Sequence, residues 1–198
     1  MLVLNAGGDI TTGEVAANGG NGSSGGTVPL SLSAGGGGGG GAGGTVLVRS
    51  AAGTLSIPTI HVTGGTPGAP GGGSVGAAGS GGSGGPGRVR WDSPMDKQPP
   101  SPDSAAHRGP SFKAVVPVVA MREPAMVLVG TPGDELDARV LDDVGVPHAG
   151  PHVAFDRTGS ATLTPTLSRG YNRVCVKLSK GSETEAPANA CIVVAYLP

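Results

Sequence analysis

Aromatic side chains are almost missing from this chain: two phenylalanines, two tyrosines and one tryptophan in 198 residues, none of them before Trp91. Charge is just as thin in that region, where Asp9, Glu14 and Arg49 are the only charged side chains up to residue 87. A segment with neither large apolar groups nor charge cannot build an ordinary side-chain core. It is either a flexible linker or a region ordered through its backbone. No run of 18 apolar residues occurs, so no apolar helix spans a membrane. Met1 leads into Leu2-Val3-Leu4 without a basic, apolar leader, so export is an inference from other features. The formal net charge is −1, and Lys and Arg form no stripe interleaved with aromatics, which argues against nucleic-acid binding.

Glycine fills the gap. Of 39 glycines, 31 precede residue 88, and they are not randomly placed. At an offset of about 45 residues, Leu2-Val3 aligns with Leu47-Val48, Gly8 with Gly53, Ile10 with Leu55 and Val15 with Ile60. A third copy begins at Arg88-Val89-Arg90-Trp91 after a slightly shortened tract. Each unit reads as two short apolar strands followed by Gly, Ser and Ala. Within the tracts glycine recurs every third residue, as in Gly73, Gly76, Gly79, Gly82 and Gly85, or Gly35, Gly38, Gly41 and Gly44. Three residues per turn describes the extended polyproline-II type of helix, and a glycine edge on every turn lets two such helices bond laterally. The series are too short, and too poor in proline, for a collagen triple helix.

The remainder divides into a proline-rich stretch, residues 92–111, read as a semi-extended solvated linker, and residues 112–198, which read as a small antiparallel β-sandwich. Seven short apolar segments are separated by turn signals at Pro132-Gly133, Gly145, Gly150-Pro151, Gly159, Gly170 and Gly181. The expected fold class is therefore all-β: a glycine-rich β/polyglycine-II-type repeat region over 1–91, a linker and a sandwich. In the last two strands Val174, Val176 and Leu178 share one face, as do Ala190, Ile192 and Val194. If the hairpin turns near residue 183, Cys175 and Cys191 oppose each other on the more exposed face, within reach of a cross-strand disulfide. Free thiols or half a metal site are the alternatives. A disulfide would place the chain in an oxidising compartment.

Other constellations carry less chemistry. His148 and His152 have the spacing of a helical zinc pair, but Pro147, Gly150 and Pro151 exclude a helix, which leaves them as solvated loop residues beside Asp142, Asp143 and Asp156. Asp134, Glu135 and Asp137 lack the spacing of a calcium loop. None of His61, His107, His148 and His152 lies in a nucleophile motif. Trp91 is expected to cap the repeat stack by covering its last layer, with ligand stacking as the alternative. No enzyme activity, cofactor or metal is expected.

Residues 1–91 resemble the glycine-rich repeat segments of large bacterial surface and adhesin-like proteins, in the pattern TVLVRS…GTLS…VTGG alternating with Gly-Gly-x-Gly-Gly runs. The resemblance implies an extracellular, non-catalytic scaffold; the sandwich is similar, in strand number alone, to immunoglobulin-like modules of such proteins. The expected role is structural, with self-association into an oligomer or filament. The alternative is an adhesin-type module that binds a glycan or surface protein and is carried on a glycine-rich stalk.

Overall fold

The computed structural model describes residues 1–27, 34–72, 78–98, 101–103, 106–114, 116–180 and 189–198. All regular elements among them are β-strands, so the fold is all-β. The first half winds in three coils. The first holds β1 (Leu2–Ala6), β2 (Ile10–Thr11) and β3 (Glu14–Ala16). The second holds β4 (Thr45–Ser50), β5 (Thr54–Ser56) and β6 (Thr59–His61), and the third β7 (Arg88–Asp92), β8 (Met95–Gln98) and β9 (Ser101–Pro102). Corresponding strands stack in parallel, giving β1-β4-β7, β2-β5-β8 and β3-β6-β9, and β10 (Ala106–Arg108) extends the first of these sheets. The three sheets share one aliphatic core in which Val46, Val48, Leu55, Ile57, Ile60, Val62 and Val89 are fully buried. Aliphatic residues therefore recur from coil to coil because each layer covers the last.

Two expectations change here. The coil has three strands, not two, and in the first sheet the offset is 44 residues: Leu2 pairs with Val46 and Leu4 with Val48. A one-residue slip turns every side chain to the other face, and only this register stacks Leu2 and Leu4 on the buried Val46 and Val48. The proline-rich stretch 92–111 also departs from a solvated linker. It carries β8, β9 and β10, paired onto the second coil and β7, and then enters the sandwich. Main-chain pairing and side-chain bonds hold it, such as Asp103 Oδ1 accepting from the Val62 N–H at 2.9 Å. Trp91 consequently lies inside the third layer, half-buried against the core and paired with Arg108 of β10, and is not the outermost cap.

The glycine tracts leave the coils as hairpins of two extended arms. Residues 17–27 run outward and 34–44 return; 62–72 run outward and 78–87 return. Between the outward arms the bonds Gly19 N–Thr63 O, Gly22 N–Thr66 O and Gly25 N–Ala69 O measure 2.8–2.9 Å. The first return arm donates from Gly35, Gly38, Gly41 and Gly44 to Gly26, Ser23, Gly20 and Ala17 in antiparallel order. It also donates from Gly37, Gly40 and Gly43 to Gly79, Gly82 and Gly85. The bonds recur at every third residue, the period of a three-residue turn. The described part of the Gly73–Gly85 series belongs to this lattice, while Gly73 and Gly76 lie outside the described residues. Side chains complete it where glycine is absent: Asn18 Oδ1 and Asn21 Oδ1 each accept a backbone N–H, from Thr63 and Thr66, at 3.0 Å.

The second half packs two sheets on one core. A three-stranded sheet takes the order β11-β13-β16, from β11 (Ser111–Phe112), β13 (Met126–Val129) and β16 (Ser160–Leu163). It faces a five-stranded sheet of order β12-β18-β17-β14-β15, from β12 (Val118–Val119), β14 (Glu135–Leu141), β15 (Pro147–Ala154), β17 (Gly170–Lys180) and β18 (Asn189–Tyr196). The core holds Leu128, Leu136, Leu163, Val174, Val176 and Val194, the inward halves of strands that alternate with period two. Pro147 and Pro151 sit in β15, at the edge of its sheet, where a missing N–H costs least. Gly145 and Gly159 adopt φ values of 80° and 73°, so those turns require a residue without a Cβ.

Candidate binding surfaces

The outer face of the five-stranded sheet is built by alternation. Because Val174, Val176 and Leu178 face the core, Tyr171, Arg173, Cys175 and Lys177 line up outside. Strand pairing sets Cys175 opposite Cys191 on β18 and opposite Arg139 on β14, Arg173 opposite Leu141, and Lys177 opposite Asp137. Cys175 and Cys191 are joined by a disulfide, with Cα atoms 4.1 Å apart. The turn near residue 183 lies outside the described residues. A disulfide agrees with an oxidising environment.

Between this face and the second and third coils lies an open cleft of about 840 Å³, to which Arg49, Asp92, Arg139, Arg173, Lys177 and the disulfide contribute. Asp92 is buried and already neutralised. Its Oδ2 accepts from Arg49 Nε and Nη2 at 3.2 and 3.1 Å, and its Oδ1 from Arg90 Nε at 2.9 Å. A neighbouring cluster ties the two halves together. Arg108 Nη2 pairs with Asp96 Oδ2 at 3.3 Å and donates to Ser93 O at 2.9 Å, while Thr131 Oγ1 donates to Arg108 O at 2.8 Å.

The histidines end up elsewhere. His148 and His152 lie on the edge strand β15, not in a loop, and the register shift opposite Asp137 and Arg139 pairs His152 with Asp137 but His148 with Val140. That shift turns them to opposite faces, so they do not converge on a metal. His148 Nε2 reaches Asp142 at 3.2 Å, and His152 contacts Asp137 and Glu135 at 2.8 and 3.4 Å. His61 bridges coils, 3.1 Å from Asp103 and 3.6 Å from Glu14. Among the described residues no three metal-ligating side chains gather, and the only side-chain partners of these histidines are carboxylates. His107 lies on β10, and Asp134 and Asp143 join no such cluster.

Several carboxylates hold turns and sit below their ordinary range. The Val62 N–H lowers Asp103, the Val146 N–H lowers Asp142, and the Thr158 hydroxyl, followed by the Ser160 N–H, lowers Asp156. Their contribution is present above the unfolded value of about 3.9 and is lost as pH falls through the lowered folded values. The hydrogen bond to Asp137 raises His152. Its contribution is therefore full below about 6.5 and is lost as pH rises through the raised value. Melting temperature is expected to fall modestly below about pH 4 and to drift down gently above about pH 7, because these groups are exposed and screened by solvent. Thermal melts across that range check both signs, and a flat acid limb would overturn the first.

Set against known proteins, the chain matches no family model, no curated protein and no solved structure.

Proposed function

We propose that this protein is an extracellular structural module without catalytic activity, in which a glycine-lattice solenoid is rigidly joined to an immunoglobulin-like sandwich. The observation that carries this reading is the lattice itself. Four arms bond laterally at every third residue, and at Gly40 and Gly68 an added Cβ would lie 2.6 Å from a neighbouring backbone carbon. Such packing costs a chain nearly all side-chain chemistry in that region and provides stiffness in return. The strand order β11-β13-β16 against β18-β17-β14-β15 fits strands A-B-E and G-F-C-C′ of an immunoglobulin-type sandwich. The disulfide supports an extracellular setting.

Self-association is part of the proposal. Among the described residues β1, β2 and β3 each end their sheet, so the outer edge of the first coil has no strand partner there. Leu2, Leu4 and Ile10 are only half-buried, whereas their stacking partners Val46, Val48 and Leu55 are fully buried. At the other end β10 and the sandwich follow the third coil. Two first coils meeting edge to edge therefore form a closed, isologous dimer, which is favoured over the open filament. Sedimentation of the purified chain is expected to show a monomer–dimer equilibrium at micromolar concentration, shifted to monomer by Val3→Lys on the exposed face of β1. A strict monomer at high micromolar concentration would refute self-association and leave a monomeric module.

A further inference from the structure

We propose that the cleft between the second and third coils and the outer face of the five-stranded sheet binds an acidic polysaccharide, with Arg139, Arg173 and Lys177 holding its carboxylates. The site does not depend on self-association, since a monomer carries it complete. Its first support is a charge arrangement that the fold alone does not explain. Arg139 faces the Cys175–Cys191 disulfide across the strand pair, and Arg173 and Lys177 flank Cys175 on the same face. Diagonal neighbours on a sheet lie about 7–8 Å apart, and like charges so placed repel. Lys177 lies opposite Asp137 across the strand pair, but among the described residues none of the three makes an ion pair with a carboxylate. The two acids nearest them are occupied: Asp137 bonds His152 at 2.8 Å, and Asp92 is saturated by Arg49 and Arg90. An anionic ligand would relieve that repulsion, and guanidinium groups match carboxylates in a two-point geometry.

The size of the cleft and the sheet face beside it narrow the ligand further. A volume of about 840 Å³ lies within the range of small-molecule sites and has room for a few sugar units. Tyr171 stands on the same face two residues from Arg173, 68% exposed, and offers an aromatic surface to a sugar ring. Spaced cations with one aromatic neighbour suit a polymer carrying one carboxylate per residue or two. They do not suit single-stranded nucleic acid, which binds on a succession of stacking platforms.

The test uses the full-length oxidised protein and polygalacturonate as the probe, with dextran as neutral polymer and a single-stranded oligonucleotide as competitor. Polygalacturonate is expected to bind in low salt and to weaken as salt is raised, while dextran does not bind. The variant Arg139→Gln/Arg173→Gln/Lys177→Gln should bind at least about tenfold more weakly, with its melting temperature near that of the parent. Each single variant should lose part of that affinity, and Arg88→Gln, an exposed cation outside the cleft, should lose none. Absence of polygalacturonate binding in low salt, equal binding by the triple variant and the singles, or tighter binding of the oligonucleotide would each overturn the proposal.

Discussion

Gly68→Ala is expected to disrupt the glycine arms, whereas Gly82→Ala, fourteen residues on in the same hairpin, should leave them intact. At Gly68 the new methyl would lie 2.6 Å from the Ser23 carbonyl carbon and 2.9 Å from the Gly38 nitrogen, both main-chain atoms of two different arms. Neither can move without breaking the bonds Gly68 N–Gly38 O and Gly22 N–Thr66 O, each 2.8 Å. Overpacking costs about 1–3 kcal/mol, and each lateral bond lost adds roughly 1 kcal/mol. A total of about 3–5 kcal/mol corresponds to a fall in the solenoid melting temperature of roughly 12–40 °C. At Gly82 an added Cβ meets nothing within 4 Å. There the reduced freedom of the unfolded chain makes the change neutral or stabilising by up to about 1 kcal/mol. Trp91 emission on heating, together with hydrogen exchange across Gly79–Gly85, reads the difference. Equal melting temperatures, or random-coil exchange of those amides in the parent, would reduce the arms to linkers.

Reduction of Cys175–Cys191 is expected to lower the stability of the sandwich by about 3 kcal/mol while leaving the solenoid unaffected. The bridge joins residues 16 apart in sequence, and closing a loop of about 15 residues restricts the unfolded chain by roughly that amount. Because the sulfurs lie on the outer face, their removal opens no core cavity, and Cys175→Ser/Cys191→Ser should fold with the same loss. Denaturant titration of the oxidised, reduced and serine forms measures it. A common midpoint for the three would show that the bridge contributes nothing, and peptide mapping that finds both thiols free in the extracted protein would remove its premise.

What could be read from the sequence divides along physical lines. The three-residue period was visible in Gly35, Gly38, Gly41 and Gly44, but its phase was not: in that arm the backbones approach most closely at Gly37, Gly40 and Gly43, while Gly79, Gly82 and Gly85 of the other series leave room for a Cβ. Strand alternation in β17 and β18 was equally plain, so the opposition of Cys175 and Cys191 followed from two short runs of valine, leucine and isoleucine. The register of the first sheet was not legible. Leu2-Val3-Leu4 and Val46-Leu47-Val48 are aliphatic throughout, and only three-dimensional stacking selects the inward set. Of the third coil only the start at Arg88-Val89-Arg90-Trp91 was legible, since β8 and β9 carry Met95 and Pro102 in place of aliphatic runs and depend on pairing with β5 and β6. Arg173 and Lys177 could be placed beside Cys175 on one face. Arg139 could not, because β14 and β17 are neighbours in the sheet but not in the chain, and the cleft itself exists only where the two halves meet.

The stacked coils and their arms also set the proportions of the glycine-rich half. One further coil would raise the stack by a single inter-strand spacing of about 4.8 Å. An arm such as residues 17–27, at about 3.1 Å per residue, reaches roughly 34 Å to the side. The region is thus a fin, broader than it is tall, hinged on the core where Ala17, Gly44, Val62 and Gly87 leave it. Lengthening a tract by three residues in both arms would widen the fin by one helical turn and leave every buried aliphatic contact untouched. Adding a coil would thicken it and require a new layer of core. Breadth and thickness can therefore vary independently, the first through glycine alone and the second only through the aliphatic residues of the strands.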